Sequence, residues 1–156
     1  MRKFLYILGA LTLTMLVVIG VGVGVLFYNG SALDTESKAF VDSAVPAITA
    51  NWSEEQLLDR STPELRDSIK PGELKSLFAA FARIGPLVEY QGAMGEANMF
   101  YAVGAGSTVS ASYVAKARFQ NGDAIFRIAL LKRNGHWLIQ NFHVDTQPNS
   151  RPALRA

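Results

Sequence analysis

The sequence predicts an α+β fold: an N-terminal transmembrane helix, then helices packed on a curved antiparallel sheet. Three observations carry this. Residues 4–33 hold no charge at all. From Asp34 to Ile84 the apolar residues recur at helical spacing. Beyond Pro86 the pattern changes to period-two alternation broken by Asn-Gly pairs, the strand and hairpin signature. Helices first and strands second argue for segregated layers rather than a parallel βαβ array.

The uncharged run comes first. Its core, Leu8 to Phe27, has about the 20 residues that cross a hydrocarbon layer as a helix, and no polar stripe interrupts it. Arg2 and Lys3 precede it, which keeps that end cytoplasmic and places the remainder outside. Small residues at Gly30-Ser31-Ala32 would suit a signal peptidase. The run nevertheless exceeds the usual 7–15 residues of a cleaved leader, so a retained anchor is expected. Gly20-Val21-Gly22-Val23-Gly24 resembles a phosphate loop but lacks the preceding strand. Gly20 and Gly24 instead form a small-xxx-small face for helix packing in lipid.

The expected organisation is thus an anchor and stem over 1–33, an extracytoplasmic α+β domain over 34–146, and a disordered tail over 147–156. The placement is the cytoplasmic membrane of a bacterial envelope, with the domain periplasmic. The formal net charge of +2 comes from 15 basic and 13 acidic residues. Arg2 and Lys3 account for all of it, so nothing beyond them favours nucleic acid. The helical half is acidic, with 11 acids and 6 bases from Asp34 to Glu96. Lys116 to Arg155 has 2 acids and 7 bases, so the two halves should attract each other. The chain has no cysteine, which excludes disulfides, thiolate metal sites, cysteine nucleophiles and a lipoprotein anchor.

Asp34 to Ala50 reads as a first helix with Phe40, Val41, Ala44, Val45 and Ile48 on one side, and with Pro46 kinking or ending it. Ser53 with Gln56 three residues on is a capping box. Ser61-Thr62-Pro63-Glu64 starts another short helix that buries Leu65 and Ile69. Glu73 to Ile84 is the strongest amphipathic helix, with Leu74, Leu77, Phe78, Phe81 and Ile84 on its inner side. Strands follow at Leu87–Gln91, Asn98–Val103, Val109–Phe119, Ala124–Lys132 and His136–Val144. Hairpins are expected at Asn121-Gly122 and Asn134-Gly135.

Helices followed by a long meander, ending in a turn glycine, a tryptophan two residues on and alternating apolar residues (Gly135, Trp137, Ile139, Phe142), resemble the nuclear-transport-factor-2-like, or cystatin-like, superfamily. Tyr113, Phe119, Gly122 and Ile128 suit the same scheme. The resemblance covers Asp34 to Asp145 and implies a cone whose curved sheet wraps the helices. It also points to the membrane-tethered scaffold subunits of secretion systems, which share this layout. Enzymes, binding modules and scaffolds all occur on the fold, so function rests on the site.

The resemblance implies that an enzyme here would place an acid or a His–Asp pair in the cavity. His143 and Asp145, two apart on one strand, are the pair with suitable spacing. A zinc site would need His136 as well, which strict alternation sends to the opposite face from His143. Tyr90, Tyr101 and Tyr113 could line a pocket, though strand aromatics are mostly core. Ser107 and Ser110 lack a partner base, and Trp137 reads as packing.

The expected function is a non-enzymatic, membrane-tethered binding or assembly module. It would bind a protein partner or a second copy through its sheet face or its span, with no cofactor, metal or nucleic acid. The alternative is a small-ligand carrier or enzyme using the fold's cavity. An open pocket with His143 and Asp145 converging inside would favour that alternative. A cone filled by Phe78, Phe81 and Phe142 would exclude it. A third reading, action on an envelope polymer, finds no paired-carboxylate pattern in support.

Overall fold

The computed structural model describes residues 32–102 and 106–148. By its contacts the chain divides into Met1–Leu33 and a second unit, Asp34–Ala156, that holds nearly all the described residues. Among the described residues it is α+β: four helices (α1, residues 32–49; α2, Glu54–Leu58; α3, Pro63–Ser68; α4, Glu73–Phe81), a 3-10 turn at Ala82–Ile84, and four strands (β1, Leu87–Ala102; β2, Gly106–Phe119; β3, Gly122–Arg133; β4, His136–Pro148). The strands form one antiparallel meander in the order β1-β2-β3-β4.

The expected transmembrane helix, and with it the signal-anchor and membrane-spanning assignment, is corrected. Among the described residues no helix is long and apolar enough to cross a membrane. The helices seen are amphipathic: α1 carries Asp34, Glu36, Lys38 and Asp42, and the others are short. The segment on which the span was expected, with Gly20 and Gly24, lies outside the described residues.

Local chemistry accounts for the helix starts. The Ser53 hydroxyl accepts from the Gln56 N–H at 3.3 Å and opens α2. The Thr62 hydroxyl accepts from the Leu65 N–H at 3.2 Å and opens α3, with Pro63 in its first turn. α1 runs through Pro46 rather than ending there, because Val45 just before it and Ile48 and Thr49 just beyond it are fully buried. Leu65 and Ile69 are only half-buried, and Leu77 is 47% exposed; these residues border a groove instead of the core.

Of the two strands expected over Leu87–Gln91 and Asn98–Val103, Leu87–Gln91 and Asn98–Ala102 belong to one 16-residue strand that continues through a bulge at Gly92, and Val103 lies outside the described residues. In β2 the alternation holds as expected: Ala111, Tyr113, Ala115, Ala117 and Phe119 are all buried. Asn134 and Gly135 both have positive φ (51° and 80°), as a type I′ turn requires. The other hairpin sits one residue earlier than expected, turning at Gln120 and Asn121. Gly122 already pairs with Phe119 inside β3, where a Cβ would lie 2.5 Å from the Gln147 carbonyl oxygen. β4 runs to Pro148, so Gln147 and Pro148, expected in the tail, pair with β3.

The helices cover one sheet face, and an aromatic cluster fills the space between. Trp52 stacks on Phe119 (ring centroids 5.7 Å apart) and meets Phe78 edge-on at 5.6 Å. Phe81 and Phe126 close the cluster around it. The charge asymmetry appears as helix-to-sheet ion pairs: Lys132 with Glu36, and Arg133 with Glu64 at 2.8 Å.

α1 also guards the β1 edge. The Asp34 carboxylate accepts the Ala97 N–H at 2.6 Å, and that of Asp42 accepts the Ala93 N–H at 3.1 Å and the Tyr90 hydroxyl at 2.8 Å. The two acids are eight residues apart on a helix and the two amides four apart on a strand. At about 1.5 and 3.3 Å per residue both spans come to roughly 12–13 Å, so one face of α1 matches the strand. The Ser37 hydroxyl lies 2.9 Å from the Tyr113 hydroxyl in the core and ties α1 to β2.

The Asp42–Tyr90 bond makes stability depend on pH at both ends. Burial pushes the Asp42 carboxyl up, but hydrogen bonds from Lys38, Tyr90 and Ala93 and the charge of Lys38 outweigh it, holding the group below its ordinary 3.8. The folded state therefore prefers the anion. The stability this gives is full above 3.8 and is lost as pH falls below it. Tyr90 is pushed well above its ordinary 10.0, first by burial and then by the neighbouring carboxylate. Its contribution is full below 10.0 and lost as pH rises beyond. In urea titrations across pH, Asp42→Asn should flatten the acid limb and Tyr90→Phe the alkaline one. Tyr90→Phe should also cost roughly 1 kcal/mol at neutral pH for the lost hydrogen bond. Unchanged limbs in both variants would exclude the pair as their source.

Candidate functional site

Three places carry chemistry or unfilled space, and two of them meet at β4. Its phase decides what faces where. The turn-closing pair Arg133–His136 exchanges main-chain hydrogen bonds, so alternate residues from Trp137 onward direct their N–H and C=O to the free edge. Ile139 shows this: its N–H donates to the Arg60 carbonyl at 2.7 Å, and its carbonyl accepts the Thr62 N–H at 2.9 Å. A bulge then inserts one residue, since Leu130 pairs with Ile139 but Ala129 with Asn141. Below it the phase flips, with Phe142 and Val144 turned inward and His143 and Asp145 turned to the uncovered sheet face.

The flip corrects one expectation. Strict alternation would put His136 and His143 on opposite faces, whereas the bulge puts both on the uncovered face. No three His, Asp or Glu side chains gather as a metal requires among the described residues.

His143 and Asp145 do meet, with Nε2 3.2 Å from Oδ1. Arg127, across from His143 on β3, holds the other carboxylate oxygen of Asp145. Both members of the pair are open to solvent, with side chains 58% and 40% exposed. They do not converge inside a cavity.

The first cavity is an apolar groove of about 380 Å³ between the helices and the β4 edge. Leu57, Leu65, Ile69, Leu74 and Leu77 line its helical side, and Phe78, Phe81, Phe142 and Val144 complete it; Ser68 and Glu73 are its polar rim. His143 also borders it, with its imidazole held at Asp145, whose carboxylate Arg127 shares. The phenylalanines expected to fill the cone are present, but they wall a groove rather than close it.

The second is a shallow hollow of about 350 Å³ on the uncovered face, around Met94, Val114, Arg127, Ala129 and Asn141. Met94 is 80% exposed and Val114 42%. One cross-strand row runs Met94, Val114, Arg127, His143.

Three of the remaining expected residues are structural. Tyr113 is core and bonded to Ser37, Tyr90 is bonded to Asp42, and Trp137 is buried beneath the Lys132 ammonium, 5.4 Å from the ring centroid. Ser110 faces outward on β2 opposite Asn98. The side chains of Tyr101 and Ser107 lie outside what is described. No family model, curated protein or solved structure matches the chain. The residues themselves are therefore what speaks for function.

Proposed function

We propose that the domain is a non-enzymatic binding or assembly module whose uncovered sheet face seats a second copy of the chain. The observation that carries this is Met94, a large apolar side chain 80% exposed in mid-sheet beside exposed Val114 and an unfilled hollow. Four strands at about 4.8 Å spacing and a dozen residues at about 3.3 Å give roughly 19 by 40 Å, close to the ~800 Å² per partner of a standard interface. Two ion pairs lie on this face, Glu89 with Arg118 at 2.8 Å and Arg127 with Asp145, beside the exposed Glu96, Lys116 and Asp123. It thus presents charges of both signs rather than one that would select an oppositely charged partner, and a two-fold contact can set such a mixed patch against itself. The helices-then-meander layout is also the one that the nuclear-transport-factor-2-like resemblance implies for scaffold members.

The cavity-enzyme alternative has less support. His143 and Asp145 touch, but they lie in solvent with Arg127 on the same carboxylate, and no wall excludes water around them.

Sedimentation equilibrium of the full chain should show a dimer at micromolar concentration, and Met94→Glu with Val114→Glu should give a monomer with an unchanged melting temperature. A monomer at every accessible concentration, or a dimer indifferent to both substitutions, would sink the proposal.

A further inference from the structure

We infer that the lower edge of β4 accepts an extended peptide as an added strand, with its alternate side chains in the groove beside α3 and α4. This concerns a different surface from the proposed dimer face and does not depend on it.

The phase of β4 below its bulge places the N–H and C=O of Phe142, Val144 and Thr146 on the free edge, because those of Asn141, His143 and Asp145 face β3. Among the described residues no main-chain group bonds to this stretch. A row of unmade main-chain bonds is matched by one chemistry above others, another extended polypeptide. The same edge shows how it is filled one step higher. There Arg60–Thr62 runs parallel to β4, bridging Ser61 with Ile139 through both main-chain bonds of Ile139. The chain then leaves the edge at Pro63 to form α3. The added peptide would continue the place that this segment vacates.

The groove supplies what an edge alone lacks. It lies along the unpaired stretch, with Phe142 and Val144 on the strand side and Leu65, Ile69, Leu77 and Phe81 opposite. Leu77 is 47% exposed there. Every second side chain of a bound strand points the same way, so apolar residues at alternate positions would enter the groove while the others stay in water. The occupant is therefore an extended segment with alternating apolar residues. It is not a rigid small molecule, which would leave the main-chain row unbonded.

The test uses the full chain and a fluorescent synthetic peptide alternating leucine and threonine, read by anisotropy. Val144→Pro removes an edge-facing N–H without touching the β3 pairing, a place where an edge strand tolerates proline. It should weaken binding by about tenfold or more, the equivalent of one main-chain bond. Leu77→Asp should weaken it comparably. If Val144→Pro lowers the melting temperature, the same probe methylated on alternate backbone nitrogens makes the comparison on the unsubstituted protein, and it should bind at least as much more weakly. No binding, or equal binding of plain and methylated probes, overturns the inference. Binding that appears only after residues 149–156 are removed assigns the edge to the chain's own end and overturns it too. So does a dimer that Val144→Pro dissociates, which would make the occupant a second copy. Loss of dimerisation in the Met94 and Val114 variants with peptide binding intact separates the two surfaces.

Discussion

Trp52→Ala is expected to cost about 3–5 kcal/mol, the range for deleting a large buried aromatic. Against a typical total stability of roughly 5–15 kcal/mol, that brings the domain near unfolding. Trp52 is the hub of the aromatic cluster: its ring meets Phe78, Phe81, Phe119 and Phe126, so it joins α4 to β2 and β3. It is 8% exposed. Its backbone is also strained, with φ of 47°, in the left-handed conformation where a helix ending as α1 does usually carries glycine. The Ser53 N–H bonding back to the Ile48 carbonyl at 2.9 Å is the reason for that conformation. A second variant separates the two effects. Trp52→Gly loses the same ring but relieves the left-handed strain, so it should be more stable than Trp52→Ala by about 1 kcal/mol, reversing the usual order of glycine and alanine. Urea denaturation of both variants decides. A loss below about 1 kcal/mol in the alanine variant would remove Trp52 from the centre of the core.

Nothing in the apolar periodicity marked Trp52, because it lies beyond the last regular turn of α1, where spacing stops being informative. Within regular elements the sequence was legible. The β2 face from Ala111 to Phe119, the caps at Ser53 and Thr62 and the Asn134-Gly135 turn all follow from local chemistry. Other signals were present but ambiguous. Asp34 and Ser37 continue the 3-4 spacing of Val41, Ala44, Val45 and Ile48, so they stand on the buried stripe, and polar groups there must find partners. Those partners are the Ala97 N–H and the Tyr113 hydroxyl. Likewise the inward residues of β4 pass from odd (Trp137, Ile139) to even (Phe142, Val144), which is a bulge written in the sequence. Read without it, His136 and His143 part company.

The candidate site was less legible than the fold. The spacing of His143 and Asp145 gives their contact but not their surroundings, since Arg127 arrives from another strand. The groove depends on a strand edge left open where Pro63 turns the chain away, and edges belong to the topology rather than to any local motif. Met94 is a similar case. Its exposure follows from the bulge at Gly92, which sets the phase of the rest of β1.

The two glycines of β1, Gly92 and Gly95, lie between the two strands expected over Leu87–Gln91 and Asn98–Val103 and act in different ways, and alanine substitution should separate them. Gly95 pairs with Tyr113 so closely that a Cβ would lie 2.0 Å from the Ser112 carbonyl oxygen and 2.8 Å from the Tyr113 Cα. Both atoms are backbone, so no rotamer change relieves the overlap and β1 must move away from β2. That movement also pulls on Tyr113, whose hydroxyl is bonded to Ser37 and to the Asp34 carbonyl, and so loosens α1. Gly95→Ala should therefore cost about 3 kcal/mol, the upper part of the range for overpacking, with faster amide exchange along β1. Gly92 has φ of 89° but open space where its Cβ would go. Gly92→Ala meets only the backbone penalty, about 1–2 kcal/mol, and leaves exchange elsewhere in β1 unchanged. Urea titration with hydrogen exchange distinguishes the two. Equal losses would mean that conformation rather than close approach fixes glycine at position 95, and that the β1–β2 seam is looser than its register implies.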